Sequence, residues 1–518
     1  MSTDDVTRNI WRNTVSNFVC ILLRMGLGVF MFRLLYQSFS AEEFGFWSLL
    51  WSVFGFGVLL DFGFGFTAVK RVAEFSAHEQ WDELSRVLST IFFLYVIIGL
   101  IIIITALTCS DFLIGAFKIT PDNRESFREI MVYFFCGMGV LFPLGIFPEI
   151  LVGLQRIFLA NVNYICGVIA NFLFLLLAIH YHLGLKVIVI ISAVTGIIPC
   201  ISSGVFALRA LPNVRIHPRL FSFGMVRETL SFSVFAYVST VSNIILGRTD
   251  QLVLSTALAV SAVTIYQAGA KIGEMFGAFA QQLPDTFSPA AAHLHAKGDR
   301  AYLQKLLING TRFSVMLATP VYFICAFYME AILKIITGST SLPPETFWVG
   351  QVLLLWQYTT VITQSVTKRI FMMCGHERKL MWLGSGEAVL NLALSVGLVL
   401  YFKNVLCVAL GSLISTTVFG WFFVWPWAAR EAKLNGWQLV RTVLWPIWYS
   451  CLPLLLFVML GRFSPWFDFR SSTALFFIEA SLAMLIAAVG LWRHALSVDE
   501  RENLSLRFGK IFGALRFV

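Results

Sequence analysis

Residues 247–274 read GRTDQLVLSTALAVSAVTIYQAGAKIGE, two apolar arms around a small-residue stretch, with Arg248, Asp250, Lys271 and Glu274 set among them. With a turn at Ala259–Ala262 the arms run antiparallel. Asp250 and Lys271 then lie equally far from the turn, about ten residues or roughly 15 Å at about 1.5 Å per helical residue. That is near the middle of a bilayer core about 30 Å thick. By the same count Arg248 is almost level with Glu274. Charge at such depth is costly and faces a partner or a wet cavity. Two readings stay open on this stretch alone: structural ion bridges joining two helices, or a polar site at the membrane midplane.

The composition supports a membrane setting. Hydrophobic residues make up 58% of the 518 and charged residues 13%, against about 25% charged in a soluble chain. Mean hydropathy is +0.79, and apolar stretches recur from end to end with no room for a soluble domain. The chain reads as an all-α integral membrane protein. Its polar start, MSTDDVTRNIWRN, leads into a full-length span, so no cleavable signal peptide is expected. Loop lysines and arginines account for the net charge of +9, and no nucleic-acid partner is implied. The nine cysteines are scattered singly without CxxC spacing, as small apolar fillers rather than a disulfide or metal framework.

About fourteen spans of about 20 residues are expected, beginning near Asn13, Phe44, Leu84, Arg128, Ile157, Lys186, Phe232, Val263, Thr311, Phe347, Leu380, Asn404, Val443 and Thr473. An even count puts both termini on one side. Placing that side in the cytoplasm assigns most of the 38 Lys+Arg to cytoplasmic segments, the positive-inside signature. Lys70–Glu83, Arg209–Glu228 and Pro284–Lys305 are the longer cytoplasmic segments.

Internal matches suggest duplication. Ala77, Leu84, Arg86 and Leu88 recur as Ala296, Leu303, Lys305 and Leu307, and Trp47 as Tyr266. GLQR at Gly153–Arg156 returns as GHER at Gly375–Arg378, and Asn171 as Asn391. All are roughly 220 residues apart and fall at like points of a six-span block. The expected layout is an N-terminal six-helix lobe over 1–220, a second over 221–430, and two extra helices with a tail over 431–518. Six is even, so the lobes form a parallel repeat.

Polar residues inside spans mark candidate sites. Asn17 and Arg24 share a helix face in the first span. Arg33 lies near the external end and snorkels, whereas Arg24 is too deep for that and lines a cavity or makes a structural bridge. The eighth span carries Gln267, Lys271, Glu274 and Gln281 as one polar stripe. The tenth carries Gln357, Gln364 and Lys368. In the eleventh, Glu387, Asn391 and Ser395 share a face, a carboxylate with amide and hydroxyl oxygens beside it that suits Na⁺ or a proton. An interhelical hydrogen-bond cluster is the alternative there. Asp61, Glu149 and Glu479 lie nearer span ends and read as structural.

Soluble-enzyme patterns are rejected. Asp61-Phe62-Gly63 lacks the other kinase elements. His293 and His295 lack zinc-spaced partners. Asn309-Gly310-Thr311 and Asn503-Leu504-Ser505 match the glycosylation pattern but fall on the cytoplasmic side. No enzyme is indicated.

The chain resembles Wzx-type oligosaccharide flippases, the polysaccharide-transport family of the MOP superfamily. The resemblance rests on Glu43-Phe44-Gly45-Phe46-Trp47, Asp61-Phe62-Gly63-Phe64-Gly65, Lys70-Arg71-Val72-Ala73-Glu74, Gly153-Leu154-Gln155-Arg156 and Thr249-Asp250-Gln251-Leu252-Val253-Leu254, with Tyr266 and Lys271 behind. It implies movement of a polyprenyl-diphosphate-linked oligosaccharide to the outer leaflet of a bacterial inner membrane by alternating access, alongside glycosyltransferases and a polysaccharide polymerase. Arg24, Arg248 and Lys271 are then cations for the diphosphate in a central cavity, with Gln267 and Glu274 beside them. Glu387 with Asn391, and Asp250 second, are the candidate coupling sites for an inward Na⁺ or H⁺ gradient. No other cofactor is implied. A multidrug or cation exporter of the same superfamily is the alternative. A membrane glycosyl polymerase is a third class, disfavoured because no sizeable external loop is expected.

Overall fold

The computed structural model describes residues 20, 23–24, 26–226, 234–296, 300–339, 341–463 and 473–502. Asn17, Asn503–Ser505 and the expected span starts near Asn13 and Phe232 lie outside these. Among the described residues every regular element is helical. Ten helices there are long and apolar enough to cross a membrane, and the protein is an all-α membrane protein. The chain divides into two compact units, 1–267 with 399–404, and 268–398 with 405–518.

The first unit opens with α1 (26–38) and α2 (Ala41–Gly57). A reciprocal cap starts α2: the Ser40 hydroxyl accepts from the Glu43 amide at 3.2 Å, and Glu43 accepts from the Ser40 amide at 3.0 Å. This is the S-x-x-E pattern that satisfies two orphan donors of a first turn. After a short 3₁₀ turn, Phe62 (φ 50°) and Gly63 (φ 80°) are both left-handed, and they turn the chain into α3 (Phe64–Ala77). Asp61 caps that corner by accepting from the Gly65 amide at 3.2 Å, and it also accepts from the Tyr95 hydroxyl. The Asp-Phe-Gly triplet is thus a helix junction.

Then follow α4 (Trp81–Ala116), α5 (Arg124–Leu144), α6 (Ile146–Gly153), α7 (Ile157–His180) and α8 (Gly184–Ala210). Phe64, Val72, Leu84, Leu88, Ile150 and Leu151 form a buried core where α3, α4 and α6 meet. Lipid offers no hydrophobic drive between helices, so close packing of small residues carries the association. Gly99 of α4 lies so near Gly139 of α5 that a Cβ would strike its carbonyl oxygen, and Gly167 of α7 abuts Pro199 of α8.

The hairpin is made by α9 (Val234–Ala257) and α10 (Val260–Ala296). Neither is among the ten strongly apolar helices, as their polar residues dictate. The turn falls at Leu258–Ala259 instead of Ala259–Ala262. The reason is tertiary: the Val260 carbonyl packs on Gly45 of α2, and the Thr264 hydroxyl donates to the Ala41 carbonyl at 2.5 Å. Those contacts fix the first turn of α10 two residues early. The level of Asp250 on α10 becomes Tyr266–Gln267, about one helical turn before Lys271.

In the second unit α10 continues without a break across much of the segment expected as a cytoplasmic loop, and α11 (Arg300–Phe327) resumes soon after. Another expected cytoplasmic stretch, Lys70–Glu83, is likewise largely helix, in α3 and the start of α4. Both are amphipathic extensions beyond the apolar cores on which the span starts were placed.

Next come α12 (Met329–Thr337), α13 (Pro344–Thr360), α14 (Val366–Met373), α15 (Glu377–Phe402), α16 (Leu406–Phe419) and α17 (Trp425–Glu431). A π-helical turn, Val361–Ser365, joins α13 to α14, and another, Gly420–Val424, joins α16 to α17. Gly269, Gly273 and Gly277 recur every fourth residue on α10 and lie against α13, at Gly350, Leu353 and Gln357. The rest of the chain is α18 (Gly436–Val443), α19 (Trp445–Ser450), α20 (Leu452–Phe463) and α21 (Thr473–His494). The last two pack on α11 and α12 through Ile324, Tyr328, Leu454, Val458, Phe476 and Ala483. Within that core the Tyr328 hydroxyl donates to Glu479 at 3.1 Å.

Local structure repeats where the sequence matches did. Asn171 of α7 donates to the Ser192 hydroxyl of α8 at 3.4 Å, and Asn391 of α15 to the Ser412 hydroxyl of α16 at 2.8 Å. The break between α5 and α6 at Leu144–Gly145, beside Pro143, has its counterpart in the π turn at Val361–Ser365.

Candidate functional site

Each unit carries its own share of the polar residues singled out above. In the first unit Arg24 is exposed beside Tyr164 and Val168 of α7. Arg248 is also exposed, and its course is set by α2. The Ser52 hydroxyl donates to the Arg248 carbonyl at 2.7 Å, and the side chain crosses the bare surface of Gly55, where a Cβ would stand 3.1 Å from Nε. Charge is costly in lipid, so a wet space is the cheaper setting for both guanidinium groups. Asp250, by contrast, is 5% exposed and accepts from the Tyr266 hydroxyl. Gln267 is buried.

In the second unit Lys271 pairs with Glu274 on its own helix at 3.1 Å. Both are accessible, Glu274 half-exposed at 49%. The glycine stripe presses one face of α10 on α13, and Lys271 and Glu274 lie on another. Gln281, farther down the polar stripe, donates to the Ser365 hydroxyl at 2.9 Å.

Glu387 is the most elaborately held charge. It is 2% exposed, yet both oxygens are satisfied. Oε1 accepts from Gln364 at 3.1 Å and from Thr416 at 2.7 Å, and Oε2 accepts from Lys368 at 3.1 Å. Trp356 Nε1 donates in turn to Thr416 Oγ1 at 2.8 Å. A buried carboxylate persists only with a counter-charge and hydrogen bonds, and this one has both. Gln364 lies in the first π turn, Lys368 just after it, and Thr416 one turn before the second. The two π turns touch where Gly420 meets Thr363, and a Cβ on Gly420 would strike its hydroxyl. Such turns gather at functional positions because the extra residue re-aims side chains.

Asn391, one turn along α15 from Glu387, is fully buried. Its Nδ2 serves Ser412, and its Oδ1 has no partner. Ser395 donates to the Val408 carbonyl at 3.4 Å. Among the described residues there is no group of three or more His, Cys, Asp or Glu able to hold a metal ion. The oxygens around Glu387 and Asn391 are instead carboxylate, amide and hydroxyl, which suit a hard monovalent cation or a proton.

Sequence reasoning had named Glu387 and Asn391 on one helix and Gln364 and Lys368 on another, and the structure brings Glu387 together with both of the latter. It missed Thr416 and Trp356, although Ser412, Ser415 and Thr416 at helical spacing were a readable polar stripe. It also quoted Tyr266 without recognising it as the partner of Asp250.

A family model described as polysaccharide biosynthesis protein matches residues 10–280. No curated protein matches the chain. Among solved structures, the chain is similar to the lipid II flippase MurJ in an inward closed conformation. That match has a TM-score of 0.71 and 14% identity, over 92% of this chain and 97% of that one. It is similar to an inward-facing multidrug resistance MATE family transporter of the MOP superfamily, with TM-score 0.66 and 17% identity over 84% and 99%. A MOP superfamily transporter from Pyrococcus furiosus matches at TM-score 0.57 and 15% identity over 82% and 95%. These likenesses establish the fold, and with the family match they bear out the resemblance to a Wzx-type flippase of the MOP superfamily.

Proposed function

Because this chain belongs to the polysaccharide biosynthesis protein family and has the fold of MOP superfamily transporters, we propose that it flips a polyprenyl-diphosphate-linked oligosaccharide from the cytoplasmic to the outer leaflet of a bacterial inner membrane. It does so by alternating access, coupled to a cation, with both termini in the cytoplasm, and it serves surface polysaccharide biosynthesis alongside glycosyltransferases and a polymerase. The observation that carries this reading is the exposure of two arginines, Arg24 and Arg248, on helices of a membrane protein. Guanidinium groups in a wet space are suited to grip a diphosphate in bidentate fashion. Lys271, with Glu274 as its resting partner and Gln267 one turn back, adds a third cation and an amide. An anionic head group is thereby favoured over the cationic cargo of an exporter.

Coupling is assigned to Glu387 and Asn391, with Asp250 as a second carboxylate. The support is the buried, hydrogen-bonded state of Glu387 and the unpartnered oxygen of Asn391.

The test is made in cells. Deleting the gene is expected to accumulate lipid-linked oligosaccharide and leave drug sensitivity unchanged, and Arg24→Ala and Arg248→Ala are expected to lower surface polysaccharide at normal expression. Wild-type polysaccharide levels in both variants would remove the diphosphate role, and a gain in drug sensitivity on deletion without lipid-linked intermediate would favour the exporter.

A further inference from the structure

We propose that Lys368 is a tethered cation that occupies the coupling site at rest, and that the coupling cation enters by displacing it from Glu387. The inference rests on the coupling reading of Glu387.

Its first support is electrostatic. Glu387 is 2% exposed, and among the described residues its cationic contact is Lys368 at 3.1 Å. A buried carboxylate needs one compensating positive charge, and a second beside it would leave the site with an unpaired excess of the same cost. Occupancy by the ammonium and by a free cation is therefore competitive.

The second support is the unfilled valence next door. Asn391 is 0% exposed, and its Oδ1 makes no hydrogen bond. An orphan buried carbonyl oxygen is uncommon because its desolvation is uncompensated. Lys368 spends its ammonium on Glu387, so the amide oxygen is left for an ion that bridges the two residues. With Glu387 and Thr416 it completes an all-oxygen donor set, suited to a hard cation and not to a soft metal.

The third support is that Lys368 has somewhere to go. Its side chain is 28% exposed, against 3% for Glu387, so it reaches the pocket from a wetter side and leaves without crossing the core. The ammonium is a compact charge on a flexible stem. Gln364 and Thr416 hold the other carboxylate oxygen, so Glu387 stays aimed into the site during the exchange.

The experiment uses the purified full-length protein in lipid nanodiscs, with NaCl titrated against choline chloride at constant ionic strength. The readouts are the unfolding temperature and tryptophan fluorescence, because Trp356 touches the site through Thr416. A ligand that binds only the folded state raises its stability with the logarithm of one plus its concentration over Kd, and the fluorescence change follows occupancy and gives half-saturation. Removing the competitor with Lys368→Met is expected to lower the half-saturating Na⁺ concentration about tenfold, the inverse of a tethered competitor's hold. It is also expected to make the unfolding temperature climb with NaCl and stay flat in choline. Lys368→Arg binds the carboxylate more firmly and is expected to raise half-saturation about fivefold or more. It carries the test alone if Lys368→Met does not fold. Adding Glu387→Gln to Lys368→Met is expected to abolish the response. A Na⁺ response that neither Lys368 variant alters overturns the exchange and leaves coupling intact. A protein blind to NaCl in every form overturns the exchange and coupling to Na⁺ at this site. The cargo reading is judged separately, on the lipid-linked intermediate.

Discussion

The Lys368 ammonium stands 3.1 Å from a carboxylate oxygen of Glu387, a residue 2% exposed inside a membrane-spanning helix. Removing Lys368 strands the buried Glu387 carboxylate, so Lys368→Met is expected to destabilise the protein in choline by about 3 kcal/mol. Glu387→Met is expected to cost less, because Lys368, with a side chain 28% exposed, can turn out of the site. The double variant Lys368→Met with Glu387→Met is expected to recover most of the loss. Denaturation in nanodiscs measures the three. A double variant as unstable as the sum of the singles would mean the two residues do not act as a pair.

Asp250 and Tyr266 make a second buried contact, across the hairpin. Tyr266→Phe keeps the ring and removes the donor, so the expected cost is about 1–3 kcal/mol. Adding Asp250→Asn to it is expected to change stability little, because the acceptor is neutralised with the donor gone. A stability equal to wild type for Tyr266→Phe contradicts the contact.

Glycines on α10 and α15 are expected to respond in opposite directions. A Cβ on Gly269 would lie 2.8 Å from the Gly350 amide nitrogen and the Thr346 carbonyl oxygen, both backbone atoms that have no room to yield. Gly269→Ala is expected to cost about 1–3 kcal/mol by forcing α10 off α13. Gly397, in the interior of α15 with nothing within 4 Å of its Cβ position, is expected to gain up to about 1 kcal/mol as alanine. Unfolding temperatures compare the two, and equal effects would sink the packing argument.

Gly55 holds the course of Arg248. A Cβ there would meet Nε at 3.1 Å, and the two methyl groups of a valine would occupy the path of the guanidinium stem. Gly55→Val is expected to lower surface polysaccharide as Arg248→Ala does, by tenfold or so if Arg248 contributes one charge-assisted contact of about 1.5 kcal/mol. Combining the two substitutions is expected to add nothing further. An additive loss would show that Gly55 acts elsewhere.

Much of this was legible in the chain. Apolar runs of span length gave the helices, because lipid forces backbone groups to bond within a segment. The matched Asn171 and Asn391 and the costly charges in α9, α10 and α15 were visible as residue types at fixed spacing. The turn was misplaced because Ala259–Ala262 has no residue that demands a bend, and the first turn of α10 is fixed by Gly45 and Thr264 meeting across more than two hundred residues of sequence.

The hairpin that decided the fold therefore divides cleanly. Its sequence determined two helical arms with charges set among apolar residues, since hydropathy and charge spacing depend on composition and local period. Which charge meets which was a matter for tertiary structure. A shift of two residues at the turn moves the register of the facing helices by about four, one helical turn, and gives Asp250 to Tyr266. Likewise Glu387 and Lys368 sit on separate helices, and their pairing follows from how two π turns, one at Gln364 and one at Gly420, bring α14, α15 and α16 together. No local pattern encodes that meeting, because it depends on the packing of side chains distant in sequence.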